Sequence, residues 1–236
     1  MTTSESNQEK VKNLRMICLA NSRKISGRCI AGKNVDSLTW IRPVSNRTAE
    51  EISEEERQFK DGKMPALLDI LRIAVIGEKP NFFQTENVLI NPQYYWSKVG
   101  AFHKKDLLKI IDKPDSLWEN GYSSYYGHND RVPIQNLAGK AGSLYLINPS
   151  ALEIHIQVEG VEFGGPGKRR IRAKFFYHKK LYTLAVTDPL IEKQYLAKKD
   201  GIYKIKSAED RIFMCVSMGL PYEDNFCYKF VASIIG

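Results

Sequence analysis

Short apolar runs separated by turn residues recur along the whole chain, and they have the length of β-strands rather than of helices. The clearest alternation begins at Leu152, from which Leu152, Ile154, Ile156 and Val158 fall on one face of a strand. Similar runs predict five strands in the first half, at residues 14–20, 28–33, 37–45, 67–77 and 86–92. In the second half, the strand that begins at Leu152 and five further runs predict six strands, at residues 143–149, 152–160, 169–178, 180–189, 211–219 and 227–236.

Helical patterns are few and short. An acidic segment after Thr48 predicts a surface helix with that threonine as its N-cap. Residues 101–112 have helical spacing of apolar positions and are stopped by Pro114. A third short helix is expected after Pro189, a residue that suits the first helical turn.

This order of elements predicts a mostly β protein with a few helices, because no repeated β-α-β alternation is present. Two small barrels, each of about five strands, account for the pattern. The predicted divisions are a disordered tail at 1–12, a first barrel at 13–92, a helical and loop connector at 93–142, and a second barrel at 143–236.

The composition is that of an ordinary globular protein, with 43% hydrophobic and 26% charged residues among 236. The formal net charge of +8 favours polyanionic partners such as nucleic acids. The four cysteines have no C-x-x-C spacing and are expected to be free thiols in a reducing compartment. The sequence shows no apolar stretch long enough to span a membrane and no signal-peptide core, so a cytoplasmic protein without membrane contact is expected.

Three stretches resemble a bacterial family of dual OB-fold domain proteins: "LANSRKISGRCIAGK" with "WIRPVS" near the start, "VTDP" at Val186, and "CVSMGLPYEDNFCYKFVASII" at the end. The resemblance covers most of the chain. It implies two OB-type barrels and a module that binds nucleic acid or nucleotides. It also implies an association with prokaryotic defence and conflict systems, and hence a possible partner protein of such a system.

The first candidate site is a group of cations around the predicted hairpin of strands 1 and 2. OB-type barrels bind single strands across strands 2 and 3 and the adjacent loops, with cations for phosphates and aromatic rings for bases. Lys24, Arg28, Lys33, Trp40 and Arg42 are the residues that would form this surface. The alternative is that Trp40 is a core residue and that Arg42 pairs with an acid from the predicted helix at Glu50 to Glu56.

The second candidate site is a strand whose cations alternate with apolar residues. Arg170, Arg172 and Lys174 share one face, and Lys168 precedes them next to the flexible stretch "GGPG". Like charges in a row repel one another unless a partner or solvent relieves them. A phosphate backbone would be such a partner, and a solvated strand face is the alternative.

Other candidates are scattered. Tyr122, Tyr125 and Tyr126 lie in a glycine- and serine-rich loop and could stack on bases or pack between the barrels. Lys229 lies within an apolar strand, so its amine must face solvent, a carboxylate or a ligand. Asp188 is expected to cap the helix after Pro189, and Asp69 is expected to face solvent. The sequence predicts no cofactor, no metal site and no catalytic motif.

The leading prediction is therefore a non-catalytic module that binds single-stranded nucleic acid or strand ends as part of a bacterial defence system. An alternative is a sensor that binds a small nucleotide or modified nucleoside in a pocket between the barrels. In that alternative "GGPG" and Lys229 would lie near the mouth of the pocket. A lesser alternative is a metal-dependent nuclease or phosphodiesterase with Asp69 and Asp188 as metal ligands.

Overall fold

The first half of the chain forms one sheet of six strands. The computed structural model describes residues 12–205 and 211–236, so the predicted tail at 1–12 lies outside the described residues except for Lys12. The strands of this sheet are β1 (Lys12–Lys24), β2 (Gly27–Asn34), β3 (Trp40–Val44), β4 (Asp69–Glu78), β5 (Asn87–Ile90) and β6 (Ser97–Ala101).

Five of these strands close into a barrel. The hydrogen-bonded order is β1-β2-β3-β5-β4, and β4 pairs back onto β1. The β3–β5 pairing is parallel and the other four are antiparallel. Glycine is required where β1 and β2 cross closely, because a Cβ on Gly32 would lie 1.9 Å from the carbonyl oxygen of Ile17. A closed five-stranded barrel of this kind has the architecture of an OB-fold.

The second half repeats this order. Its strands are β7 (Arg131–Pro133), β8 (Leu144–Ile147), β9 (Ser150–Glu159), β10 (Lys168–Tyr177), β11 (Lys180–Val186), β12 (Gly201–Lys204), β13 (Phe213–Pro221) and β14 (Phe226–Ile235). The sheet runs β12-β9-β10-β11-β14-β13-β8, with β12 added at the edge beside β9. The pairing of β11 with β14 is parallel, like that of β3 with β5 in the first sheet. Only Asn148 and Pro149 separate β8 from β9, so the chain that pairs with β13 continues directly into the strand that pairs with β10.

The helices are short, and two of the three predictions need correction. The first helix, α1 (Glu54–Arg57), is capped by Ser53 and not by Thr48, because Ser53 and Glu56 form a reciprocal capping box. Residues Lys104–Lys109 form a 3-10 helix instead of an α-helix. The prediction for α2 (Pro189–Leu196) is confirmed, since the carboxylate of Asp188 accepts hydrogen bonds from the first helical amides.

The predicted connector at residues 93–142 contributes a strand to each of the two sheets. β6 lies within residues 93–142 but belongs to the first sheet, where it pairs with β4. β7 lies in the same range but pairs with β14 of the second sheet. Two 3-10 segments, at Lys104–Lys109 and Ile134–Leu137, fill the remainder together with loops.

The two halves share a core. One buried cluster joins Ile17 and Leu19 of β1 to Leu146, Phe213 and Ile235 of the second sheet. The Ser233 hydroxyl donates a hydrogen bond to the carbonyl of Leu19 across the same boundary. Burial of apolar surface from both sheets in one cluster holds the barrels against each other.

The four cysteines are free, as the sequence predicts, and three of them are buried. Within the described residues, no helix combines the length and the apolar character that crossing a bilayer requires.

Candidate nucleic-acid interface

The first predicted basic surface is largely buried, and its residues connect the first barrel to later segments of the chain. Lys33 is buried, and its ammonium donates to the carbonyl of Ile110 at 2.7 Å and to the carboxylate of Asp112 at 2.6 Å. The indole nitrogen of Trp40 donates to the other oxygen of Asp112 at 3.1 Å. The prediction that Lys33 belongs to an open nucleic-acid-binding surface is therefore wrong, because Lys33 is buried and a carboxylate 79 residues further along the chain neutralises it.

Arg42 is buried as well, with 3% of its surface exposed. Its guanidinium donates to the hydroxyl of Ser143 at 2.7 Å and lies 3.3 Å from the carboxylate of Glu86. An acid does pair with Arg42, as the alternative interpretation expects, but it comes from the β4–β5 connection rather than from the acidic helix. Arg42 thus holds the first barrel against the start of β8.

The two remaining cations of this group, Arg28 and Lys24, differ in whether an acid lies close to them. Arg28 is half-buried on β2, and its Nε lies 3.7 Å from the carboxylate of Glu54. Lys24 is half-buried at the end of β1, and no acid among the described residues lies within ion-pair distance of it. The opening stretch therefore supplies one free ammonium rather than a continuous basic face.

The cations of β10 do alternate as the sequence predicts. Ile171, Ala173 and Phe175 are buried, while Lys168 and Arg170 are exposed. Arg172 is the exception in this row, because its Nε and Nη2 donate to the two oxygens of Glu159 at 2.6 and 2.9 Å. A second acid, Asp130, lies 3.6 Å from the same guanidinium. The prediction that Arg172 is an open phosphate contact is therefore wrong.

Acids of the neighbouring strand relieve part of the repulsion along β10. Glu159 is the register partner of Lys168, and Glu153 is that of Lys174. Nevertheless, within residues 12–205 and 211–236 no acid lies within ion-pair distance of Lys168, Arg170 or Lys174. These three positive groups therefore remain available on the outer face of the second barrel.

Exposed aromatic rings lie at the end of the β9–β10 hairpin. Tyr125 and Phe163 are 69% and 70% exposed, and their rings meet edge to face with centroids 5.4 Å apart. Tyr126 is the anchor of this group, since the amide of Gly160 donates to its hydroxyl at 2.9 Å. Phe163 is absent from the sequence-based candidates, although it directly precedes the "GGPG" stretch. An exposed phenylalanine cannot be distinguished from a core one by its local pattern.

The other expectations for this region are only partly met. Tyr122 is half-buried and packs on Phe226, with centroids 6.0 Å apart, so it supports the loop. Amides of the glycine-rich stretch are already used: that of Gly164 donates to Val161, and that of Gly165 donates to Gly160. These two amides close a local turn and do not point at a ligand.

We call the combination of Tyr125, Phe163, Lys168, Arg170 and Lys174 the hairpin surface. Lys168 begins β10 at the turn end of the hairpin, near the loop that carries Phe163, and Arg170 and Lys174 follow at alternate positions along the same strand. The Arg172 guanidinium lies 5.8 Å from the ring centre of Tyr126. Sequence-tolerant binding of single strands requires two components, aromatic rings on which bases stack and positive side chains for the phosphates. The hairpin surface contains both.

Lys229 fixes the loop that carries the tyrosines. It is 1% exposed, and its ammonium donates to the carbonyl of Glu119 at 2.6 Å and to the side-chain oxygen of Asn120 at 3.2 Å. It also lies 5.4 Å from the ring centre of Tyr182. Burial lowers the pKa of Lys229 to about 7, against a weaker opposing effect of Asp130 and Glu119. The amine therefore faces neither solvent nor a free cavity.

The two candidate carboxylates are both engaged. Asp69 is buried, so the expectation that it faces solvent is wrong. It accepts from the amide of Ala66 at 2.9 Å and pairs with Lys98 at 2.5 Å. Asp188 also accepts from the amide of Ile234, and burial raises its pKa. Among the described residues, no group of three or more histidine, cysteine, aspartate or glutamate side chains could hold a metal ion.

A cleft of about 240 Å³ lies between the two halves, and we call it the central cleft. Lys24 and Arg42 line it from the first barrel, and Thr187, Ser217 and Phe230 line it from the second. Arg42 contributes an Nε that is buried and has no hydrogen-bond partner. Neither Lys229 nor the "GGPG" stretch borders the cleft, in contrast to the arrangement expected from the sequence.

The comparisons with known proteins agree with this architecture. A family model described as the dual OB-containing domain matches residues 14–234, which is nearly the whole chain. No curated protein matches the chain. No solved structure matches it either. The repeated order of strands and the extent of the family match lead to one conclusion: this chain belongs to the dual OB-containing domain family.

Proposed function

We propose that the protein binds single-stranded nucleic acid through the hairpin surface. OB-fold modules often bind nucleic acid, and this chain consists of two of them. The observation that carries the proposal is the exposed pair Tyr125 and Phe163 beside cations that have no acidic partner in the described chain. The two exposed rings contact each other, and contiguous exposed apolar surface of this kind is typical of interaction sites.

The arrangement favours a single strand over a duplex. Bases of a single strand are free to stack on protein rings, whereas those of a duplex are already stacked on each other. The positive groups of Lys168, Arg170 and Lys174 would contact phosphates and carry no base preference. We therefore expect affinity with little dependence on sequence, and a preference for unpaired strands or strand ends.

The test is a titration of labelled single-stranded oligonucleotides at two salt concentrations. Replacing Lys168, Arg170 and Lys174 together by alanine should weaken binding. If each cation meets one phosphate, the slope of log affinity against log salt should fall by roughly 2, since each contact contributes about 0.7 on a single strand. A second variant, Tyr125→Ala with Phe163→Ala, should weaken binding but leave that slope unchanged.

A matched control removes the same charge elsewhere. Lys60, Lys105 and Lys113 are exposed and lie outside the hairpin surface, so their triple alanine variant has the same net charge as the first variant. This control should bind nearly as the unchanged protein does. Equal losses in the two triple variants would show that only overall charge matters, and the hairpin surface would then not be the binding site.

A second candidate function is the binding of a small nucleotide in the central cleft. The supporting observation is a buried guanidinium with an unpartnered Nε, together with the ring of Phe230 and the ammonium of Lys24. A base could pack against the ring while the ammonium of Lys24 neutralises a phosphate and the Nε of Arg42 donates to one of its oxygens. Its volume of about 240 Å³ limits the ligand to one nucleotide.

Thermal unfolding separates the two candidates. A ligand that binds the folded state raises the midpoint in proportion to the logarithm of its concentration. Mononucleotides should raise it if the central cleft is the site, and Phe230→Ala should abolish the shift. A shift with oligonucleotides alone would exclude this second candidate.

The setting of the protein in a bacterial defence system stays a prediction of the family resemblance, as does a partner protein within it. The nuclease interpretation is not part of the proposal, because Asp69 and Asp188 each serve a structural role in the described chain.

A further inference from the structure

A second cleft lies on the opposite side of the β1–β2 hairpin from the central cleft, and we call it the Arg57 cleft. Its volume is about 260 Å³. Arg28 and Arg57 line it, together with Asn21, and its apolar walls include Met64 and Leu190. Asp188 also borders it, but the carboxylate is engaged by the amides of Leu190, Ile191 and Ile234. Arg28 and Arg57 are the positive residues among those that line the cleft, and Asp188 is the negative one.

Arg57 is unusual because it is almost completely buried although it belongs to a surface helix of only four residues. It is 4% exposed, and its Nε is buried without a hydrogen-bond partner. The side-chain oxygen of Asn21 is a second buried atom without a partner at the same cleft. A buried polar group that lacks a partner costs free energy, so the Nε of Arg57 is expected to donate to water or to a ligand, whereas the oxygen of Asn21, which only accepts, is expected to meet water or a donor group.

Glu54 is the carboxylate shared by the two arginines. It is hydrogen-bonded to the Nη2 of Arg57 and lies 3.7 Å from the Nε of Arg28. The Glu54 side chain is 49% exposed and lies in the first turn of α1, so it can rotate toward solvent. An external oxygen anion in the place of the Glu54 carboxylate would contact the guanidiniums of Arg28 and Arg57 at the same time.

We propose that the Arg57 cleft binds a small organic anion, consisting of one carboxylate or phosphate group on an apolar body, and that Glu54 competes with this anion for the two arginines. Guanidinium groups bind both kinds of oxygen anion through charge-assisted hydrogen bonds. The apolar body would lie against Met64 and Leu190, both of which are exposed in the open cleft. A volume of about 260 Å³ is slightly below that of drug-sized ligand sites, so the ligand is small.

Because Glu54 competes with the anion, one substitution should raise the affinity for the anion and another should lower it. Glu54→Gln removes the internal negative charge, so affinity for an external anion should rise severalfold. Arg28→Met removes one of the two donors and should lower affinity by about tenfold, the value of one charge-assisted contact. Arg15→Met is the matched control, because Arg15 pairs with Asp36 at an exposed site away from the cleft.

The probes are N-acetyl-leucine, phenyl phosphate, inorganic phosphate and the uncharged N-acetyl-leucinamide, each titrated by calorimetry at constant ionic strength. Binding of the first two and none of the amide is the expected result. The stronger of the two identifies whether the natural group is a carboxylate or a phosphate. Inorganic phosphate should bind more weakly than phenyl phosphate, because it lacks the apolar body.

Several results would overturn the proposal. Equal binding of the amide and the acid would show that charge is not recognised. Equal binding of both phosphates would show that the apolar walls contribute nothing. An absence of binding at millimolar concentrations in both the unchanged protein and Glu54→Gln would show that the cleft holds only water. Because Glu54→Gln keeps both arginines and the capping box, it tests the site even if Arg28→Met fails to fold.

Discussion

The buried amine of Lys229 should make the stability of the protein depend on pH in a direction opposite to that of a lysine whose pKa is raised by an ion pair. Its pKa is lowered from 10.5 to about 7 in the folded protein, chiefly by burial. Between these two values the unfolded chain holds a proton that the folded chain has released. The free energy of unfolding therefore increases as pH rises through this window, and it has no contribution of this kind below the folded pKa.

The size of the effect follows from the two pKa values. For one group, the linkage relation gives a gain of roughly 2 kcal/mol between pH 7 and pH 9. Lys229→Met should remove this gain, because methionine has a similar length and no titrating group. The variant should also lose the hydrogen bonds to Glu119 and Asn120, so the loop that carries the tyrosines should become less ordered.

Urea unfolding of both proteins at pH 6, 7, 8 and 9 provides the measurement. Other groups titrate in the same range, but they are common to both proteins and cancel in the difference. The unchanged protein should gain stability relative to Lys229→Met as pH rises. A difference that stays constant from pH 7 to pH 9 would refute the reasoning, since it would mean that the amine keeps its proton throughout.

Three further changes test other parts of the structure. Gly32→Ala should destabilise the first barrel by at least about 2 kcal/mol in urea unfolding, because the new methyl group overlaps the carbonyl of Ile17. Asp188→Ala should cost about 1 kcal/mol in thermal unfolding through the loss of the helix cap, and an unchanged midpoint would contradict that role. Lys33→Met should cost roughly 3 kcal/mol because it leaves a charge at Asp112 uncompensated. Adding Asp112→Asn to Lys33→Met should recover part of this loss, and additive costs in a double-mutant cycle would show that the pair does not interact.

Local patterns were sufficient for most of the strands. The alternation from Leu152 to Ile156 and the alternation of cations with apolar residues on β10 both appear in the structure, whereas Val158, which the sequence assigns to the same face as Leu152, is exposed near the end of β9. The start of α1 could also have been found, because Ser53 and Glu56 have the spacing of a capping box. Thr48 lies five residues too early for it.

Charge pairing could not be predicted in the same way. The partner of Lys33 lies on a distant segment, at Asp112, and Arg172 is approached by the distant Asp130 in addition to Glu159 of the adjacent strand. A local pattern shows that cations share a face, but it does not show which acids the fold brings to that face. The outward position of Phe163 depends on the same long-range arrangement, because Tyr125 meets it from a different loop.

The apolar cluster that joins β1 to β8, β13 and β14 also determines what a melting experiment can detect. Neither barrel can lose its structure without exposing side chains that the other needs, so the whole molecule should melt in one step. A single unfolding curve would then respond to an occupant of the hairpin surface, the central cleft or the Arg57 cleft alike. Only substitutions at each place can tell which of the three was filled.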